Sequence, residues 1–242
     1  MAPPDPSLAA PADGAAFKKS VAREYLESVV VAVILALFIR TFVVQAFKIP
    51  TGSMETNLLI GDHLLVNKMV YSPSVAGWED TLLPKKPIQR GHVVVFKFPE
   101  DPARDFIKRV VGLPGETVEI RNKVVYVDGQ PIEEPYVHFL EPPLSPSDPE
   151  YGLRGDERLN WGPEVVPSGH LLVLGDNRDN SRDSRFWGFL PIDQVKGRAF
   201  IVYWSYEASR EEYHRTGYLE WIKDTIAAFG KTRWSRFFHV IR

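Results

Sequence analysis

Hydrophobic and polar positions divide the chain into three patterns. The first is one long apolar run, Val29 to Ile39, without a polar side chain. Extended to Leu26–Phe47 it is long enough to cross a bilayer, provided Arg40 snorkels to the surface. Lys18, Lys19 and Arg23 precede it, which predicts a cytoplasmic N-terminus and places everything after Phe47 outside. The rival is a cleaved signal peptide ending at Val44-Gln45-Ala46. Arg40 just past the apolar core, and bulky Phe47-Lys48 after Ala46, favour an uncleaved single-pass anchor.

The second pattern is short and strand-like. Leu64 to Val66, His92 to Phe98, Phe106 to Val111, Thr117 to Ile120, Val124 to Val127, Leu171 to Leu174 and Ala199 to Trp204 are apolar or alternating runs broken by Gly, Pro, Asp and Asn. Asp128-Gly129 after Val124–Val127 is a hairpin signal. The third pattern is helical: Leu219, Ile222, Ile226 and Phe229 recur at helical spacing before Gly230. Arg233 to Phe238 is basic and aromatic, as in a segment lying on a bilayer surface, although packing on the β-core fits equally. The fold predicted is mainly β. Residues 1–16 form a Pro/Ala-rich disordered tail and 17–47 one N-terminal transmembrane helix. Residues 48–112 and 170–206 form an antiparallel β-core, 113–169 an inserted β subdomain, and 207–242 a C-terminal helix and tail.

Composition changes this picture little. Apolar residues make up 44% of 242, enough for a real core, and a net charge of −2 gives no case for nucleic acid as a partner. The absence of cysteine removes disulfides, thiolate catalysis and Cys-zinc sites together.

Three stretches could carry chemistry. In Ile49-Pro50-Thr51-Gly52-Ser53-Met54 a bent backbone presents one hydroxyl just beyond the span, although Ser beside Gly most often only makes a turn. In Asp105 to Val111, strand alternation puts a cation in an apolar row whichever face is inward. Burial lowers the pKa of a lysine and frees its amine as a proton acceptor, whereas arginine stays charged, so of the two only Lys108 can become a base. A lysine whose stem covers the core while its ammonium reaches water fits the same pattern. The third stretch, Gly175 to Pro191 (GDNRDNSRDSRFWGFLP), is dense in donors and acceptors and predicts an internally bonded loop. There Ser181 could orient an amine and Asp183 could pair with Arg185. It is no EF-hand, since the third position from Asp176 is Arg178 and no Gly stands at the sixth. The six histidines are scattered, and spacing alone leaves a Ser-His-Asp arrangement open.

FKIPTGSM, then RGHVVVFKFPEDPARDFIKRVVGLPGE, then GDNRDNSRDSRFWGFLP together resemble the successive boxes of the bacterial type I signal peptidases, membrane-anchored Ser-Lys endopeptidases, in that family's order. The resemblance covers about residues 25–204. It implies a signal-peptidase-like antiparallel β-sheet core with Ser53 as nucleophile and Lys108 as general base. It also implies Thr51 and the Ser53 amide as oxyanion donors, Ser181 as the hydroxyl holding the lysine, and Asp183 with Arg185 as a brace. Phe47, Ile49, Pro50, Met54, Leu58, Phe106 and Ile107 fall where the family lines its pockets for small side chains. The implied partners are secretory preprotein signal peptides, cut after small residues of Ala-x-Ala type, and the lipid bilayer. The expected location is the cell (inner) membrane with the catalytic domain periplasmic or otherwise extracytoplasmic, and no metal or cofactor is implied. Two positions depart: Thr56-Asn57 stands where the family usually has Pro-Thr, and His92 where an Asp is common. A self-cleaving repressor relative would need an N-terminal helix-turn-helix, a place held here by the tail and span. The alternative of another class is an inactive membrane-tethered β-domain acting as a binding or assembly factor.

Overall fold

The computed structural model describes residues 21–69, 71, 86–140, 159–207 and 230–241. The expected N-terminal tail and the helix around Leu219–Phe229 lie outside these residues. Two compact units divide the chain at Ile39/Arg40. In the first, helix α1 (Val21–Phe38) buries none of its side chains. It continues as a π-helical turn, Ile39–Val43, and an 18-residue window within the 23 residues Val21–Val43 reaches a mean hydropathy of 2.3. At the rise of an α-helix that length is about 34 Å, against about 30 Å of bilayer hydrocarbon.

The helix stops short of the expected Phe47. Val44–Lys48 is instead strand β1, paired antiparallel with β2 (Asp62–Asn67) from Val44↔Asn67 to Lys48↔His63. Val44 and Phe47 bring β-branched and aromatic side chains that suit an extended chain once a neighbour satisfies its backbone.

The second unit holds two antiparallel sheets. The larger also contains β3 (Val93–Phe98), β4 (Asp101–Gly112), β9 (His170–Leu174), β10 (Leu190–Pro191), β11 (Val195–Ser205) and β12 (His239–Val240). Its order is β1-β2-β11-β3-β4-β9-β10, with β12 also on β11. The smaller, β7-β6-β5-β8, is built from β5 (Thr117–Arg121), β6 (Val124–Val127), β7 (Gln130–Pro131) and β8 (Trp161–Val165). It falls within the 113–169 segment. The Asp128-Gly129 turn between β6 and β7 has φ of 49° and 78°, the paired positive values a tight hairpin needs.

The near-continuous apolar runs arise because the large sheet is covered on both faces. Along β3, Val93 and Val95 join one cluster with Ile49, Met54, Leu58, Leu64 and Val202, while Val94 and Phe96 join another with Val110, Leu171, Val173 and Leu190. A third cluster joins Val111, Leu172 and Leu174 to Val118, Ile120 and Val125 of the small sheet. Gly112 allows that approach: a Cβ there would lie 2.8 Å from Val118 and 2.9 Å from Leu172. On β4, the last pair with β9 is Arg109↔Leu174, whereas β3 still pairs Val94 with Lys108. Lys108 therefore sits where β9 has left the sheet, and that gap is the site.

Candidate active site

The hydroxyl is held by a closed turn. Ile49 N–H donates to the Asp62 carbonyl (2.9 Å) and Gly61 N–H to the Ile49 carbonyl (3.0 Å), so β1 and β2 clasp the stretch between them. Within it Thr51 is extended and Gly52–Met54 forms a 3₁₀ turn. Ser53 is 7% exposed. Its carbonyl accepts from Asn177 N–H (3.1 Å), and the Gly52 carbonyl from Asn177 Nδ2 (3.2 Å), which ties the turn to the loop after β9.

Lys108 is 3% exposed. Its Nζ donates to Ser53 Oγ at 2.8 Å and to the Ile107 carbonyl at 2.9 Å, and lies 5.5 Å from the centre of the Phe106 ring. Burial drives its pKa from the ordinary 10.5 down to about 8, against the pull of Asp183 and Asp176, which raise it. No carboxylate bonds to the amine, so desolvation prevails. The reading in which the ammonium reaches water does not hold here.

The Gly175–Pro191 loop is bonded to itself. Asp183, wholly buried, accepts from Gly175 N–H (3.0 Å) and takes the Arg185 guanidinium on both oxygens, at 2.8 and 2.9 Å. Burial opposes its ionisation, but Arg185 and the Gly175 amide outweigh this and hold its pKa below the usual carboxylate value. Arg185 also donates to the Arg178 carbonyl (2.7 Å), and Ser184 Oγ accepts from Val173 N–H (3.0 Å). Ser181 Oγ is buried and near enough to help keep Asp183 ionised, yet it makes no well-formed hydrogen bond, to Lys108 or to any other group.

Ser53 and Lys108 open into a cleft of about 1070 Å³, with Thr51 and Ser181 in its wall. Of the residues expected to meet substrate, Pro50, Phe106 and Ile107 line it. Ile49, Met54 and Leu58 do not: they are packed in the same core cluster as Ile107, with Phe47 against it. Their side chains are consumed in holding the turn, because the clasp directs them inward. Among the described residues no histidine lines the cleft. His63 and His92 are instead half-buried elsewhere, and burial lowers the pKa of each to about 4.

Several residues around the site escaped the sequence reading. Arg109 forms a buried two-point pair with Asp176 (2.8 and 2.7 Å). Asn57 Nδ2 donates to Asp176 Oδ2 (2.7 Å) and to the Tyr136 carbonyl (3.2 Å), so this departure from the family pattern bridges the turn and the loop. The inserted segment reaches the same loop through Glu134, which takes the Arg178 guanidinium at 2.5 and 3.0 Å, and through His138 N–H on the Asp176 carbonyl (2.8 Å). One signal was available for Arg109, a cation in an apolar row. Its partner lies 67 positions away and could not be read.

A hydroxyl within hydrogen-bonding reach of a buried amine of depressed pKa, beside an open cleft, is equipped for nucleophilic attack with an amine as proton acceptor. Comparison with known proteins gives the family. Residues 22–204 match the family described as "Signal peptidase, peptidase S26", and the chain belongs to it. It is 40% identical over 188 residues to a protein named signal peptidase I from Leptolyngbya laminosa, covering 75% of this chain and 79% of that one. It is 34% identical over 229 residues to a signal peptidase I from Aquifex aeolicus, covering 76% and 84%. The crystal structure of a signal peptidase I from Enterococcus faecalis aligns with a TM-score of 0.36 at 30% identity, over 47% of this chain and 97% of that one.

Proposed function

We propose that the protein is a membrane-anchored endopeptidase that removes N-terminal signal peptides from secretory preproteins, cutting after small residues of Ala-x-Ala type. The observation that carries this reading is the 2.8 Å contact between Lys108 Nζ and Ser53 Oγ at the foot of the cleft. Neutral Lys108 takes the Ser53 proton as Oγ bonds to the scissile carbonyl carbon. The Thr51 hydroxyl and Ser53 N–H donate to the oxyanion, a role in which one donor supplies about 3 kcal/mol. The lysine then passes its proton to the leaving amine as the peptide bond breaks, freeing the mature protein. A water attacks the acyl-Ser53 and gives its proton to Lys108, which returns it to Ser53 Oγ as the ester bond breaks, and the signal peptide departs with a new carboxyl group. The Asp183–Arg185 pair braces the loop beside the amine, with Ser181 next to it in the cleft wall, and Pro50, Phe106 and Ile107 meet the substrate.

Val21–Val43 anchors this domain, with the N-terminus cytoplasmic and the cleft on the extracytoplasmic side, a reading supported by the basic flank before the span. The chain has no cysteine, so single introduced cysteines at the two ends report sidedness directly by impermeant thiol labelling of intact cells. Labelling of a residue beyond β2 only after lysis would reverse the orientation. The activity is tested with full-length protein in detergent and a preprotein whose signal ends in Ala-x-Ala. Cleavage is expected from wild type and from neither Ser53→Ala nor Lys108→Ala. Turnover retained by Lys108→Ala would overturn the pairing, and no cleavage by wild type would favour the tethered binding factor.

A further inference from the structure

The described C-terminal residues return to the turn that carries Ser53. β12 pairs Val240 with Ile201 and His239 with Val202 of β11, and Ile241 N–H donates to the Phe200 carbonyl at 3.0 Å. Ile241 itself is buried in the cluster of Met54 and Leu58. From this seat two arginines reach across. Arg233 Nη1 donates to the Ile60 carbonyl (3.0 Å). Arg236 takes both oxygens of Asp62, Nε on Oδ1 at 3.1 Å and Nη2 on Oδ2 at 2.6 Å, and Nη2 also donates to the Asn57 carbonyl at 2.7 Å.

The Asp62 carboxylate is wholly buried and is the hub of the turn, since its Oδ2 also accepts from Leu59 N–H at 2.8 Å. Asn57 is the other hub: its backbone carbonyl meets Arg236 while its side-chain amide grips Asp176 of the loop bearing Ser181 and Asp183. One guanidinium therefore holds the residue that couples the two halves of the site. We propose that Arg236 is a positioning residue for Ser53, a C-terminal strap that sets the hydroxyl against the Lys108 amine and the loop behind it. The inference rests on the assignment of Ser53 as nucleophile. Lysine replaces it only in part, because a compact ammonium cannot serve two carboxylate oxygens and a carbonyl in one plane.

The test compares full-length wild type, Arg236→Ala, Arg236→Lys and Ser53→Ala in detergent, reading kcat, KM and thermal midpoint on an Ala-x-Ala preprotein, with and without added methylguanidinium. Loss of the strap lets Ser53 drift without altering the cleft wall, so Arg236→Ala is expected to lose about a hundredfold in kcat with KM unchanged. Arg236→Lys recovers part of this, and methylguanidinium raises turnover of Arg236→Ala but not of Ser53→Ala. Folded Arg236→Ala turning over at the wild-type rate would overturn the proposal. So would a kcat loss in both variants that merely follows their folded fraction. If Arg236→Ala does not fold, Arg236→Lys decides, and full turnover there sinks the strap. Cleavage by Ser53→Ala would instead remove the nucleophile assignment, an outcome legible apart from the others.

Discussion

The depressed pKa of Lys108 has consequences for rate and for stability that can be measured on one set of variants. With a pKa of about 8, close to a tenth of the amines are neutral at pH 7, half at pH 8 and about nine-tenths at pH 9. At the ordinary 10.5 only about one in three hundred would be neutral at pH 8, so burial enriches the reactive form on the order of a hundredfold. The kcat/KM of preprotein cleavage should therefore rise with pH along a limb centred near 8, since that ratio reports the free enzyme. The same burial works against the fold. The folded pKa lies below the unfolded one, so between about 8 and 10.5 the unfolded chain binds more protons and stability rises with pH. Below that window the penalty is fully present, about 3 kcal/mol. Lys108→Met removes it and forfeits two hydrogen bonds, to Ser53 Oγ and to the Ile107 carbonyl, together worth about 2 kcal/mol. The inactive variant should thus be about 1 kcal/mol more stable than wild type at pH 7, with the advantage shrinking as pH rises above about 8. Denaturant unfolding of both proteins at several pH values, beside the pH–rate profile, measures this. A rate limb centred near 6.5, or Lys108→Met less stable than wild type at neutral pH, would refute the reasoning.

Three further outcomes follow from the same geometry. Gly175→Ala places a Cβ against the Ser181 side chain and 2.6 Å from the Ser53 carbonyl, so steady-state kinetics should show kcat falling by about a hundredfold. Asp183→Asn leaves the buried Arg185 guanidinium without its counter-charge, and thermal or denaturant unfolding should show a loss of about 3–5 kcal/mol. In the wild type that pair stabilises fully above the ordinary carboxylate pKa of 3.8 and fades as pH falls toward the lower folded value. Thr51→Val should lower kcat by about a hundredfold or more at constant KM, with Thr51→Ser close to wild type, if the hydroxyl donates to the oxyanion.

The insertion and the departures from the family pattern take on a meaning that no local reading supplies. Asn57 looked like the loss of a rigid Pro-Thr turn, yet its amide bonds Asp176 and the Tyr136 carbonyl together. His92 sits beside Tyr71, whose hydroxyl bonds its Nδ1. The 113–169 segment, read as an inserted subdomain, presses Glu134 and His138 onto the loop that carries Ser181 and Asp183.

What the sequence by itself determined were the features carried by neighbouring residues. These are the apolar segment of α1, the short alternating strands, the Asp128-Gly129 hairpin, and the candidacy of Ser53 and Lys108, which rests on residue type and on the resemblance of their boxes to the family. Only the tertiary structure decided the rest. Val44–Lys48 became a strand because β2 was there to pair with it, and Ile49, Met54 and Leu58 became core because the clasp turned them inward. Arg109 met Asp176, and Arg236 met Asp62 across 174 positions. Periodicity reports which face of an element is apolar, but not which distant charge completes it. That choice belongs to the packing, where a buried ion must find its partner wherever the chain brings one.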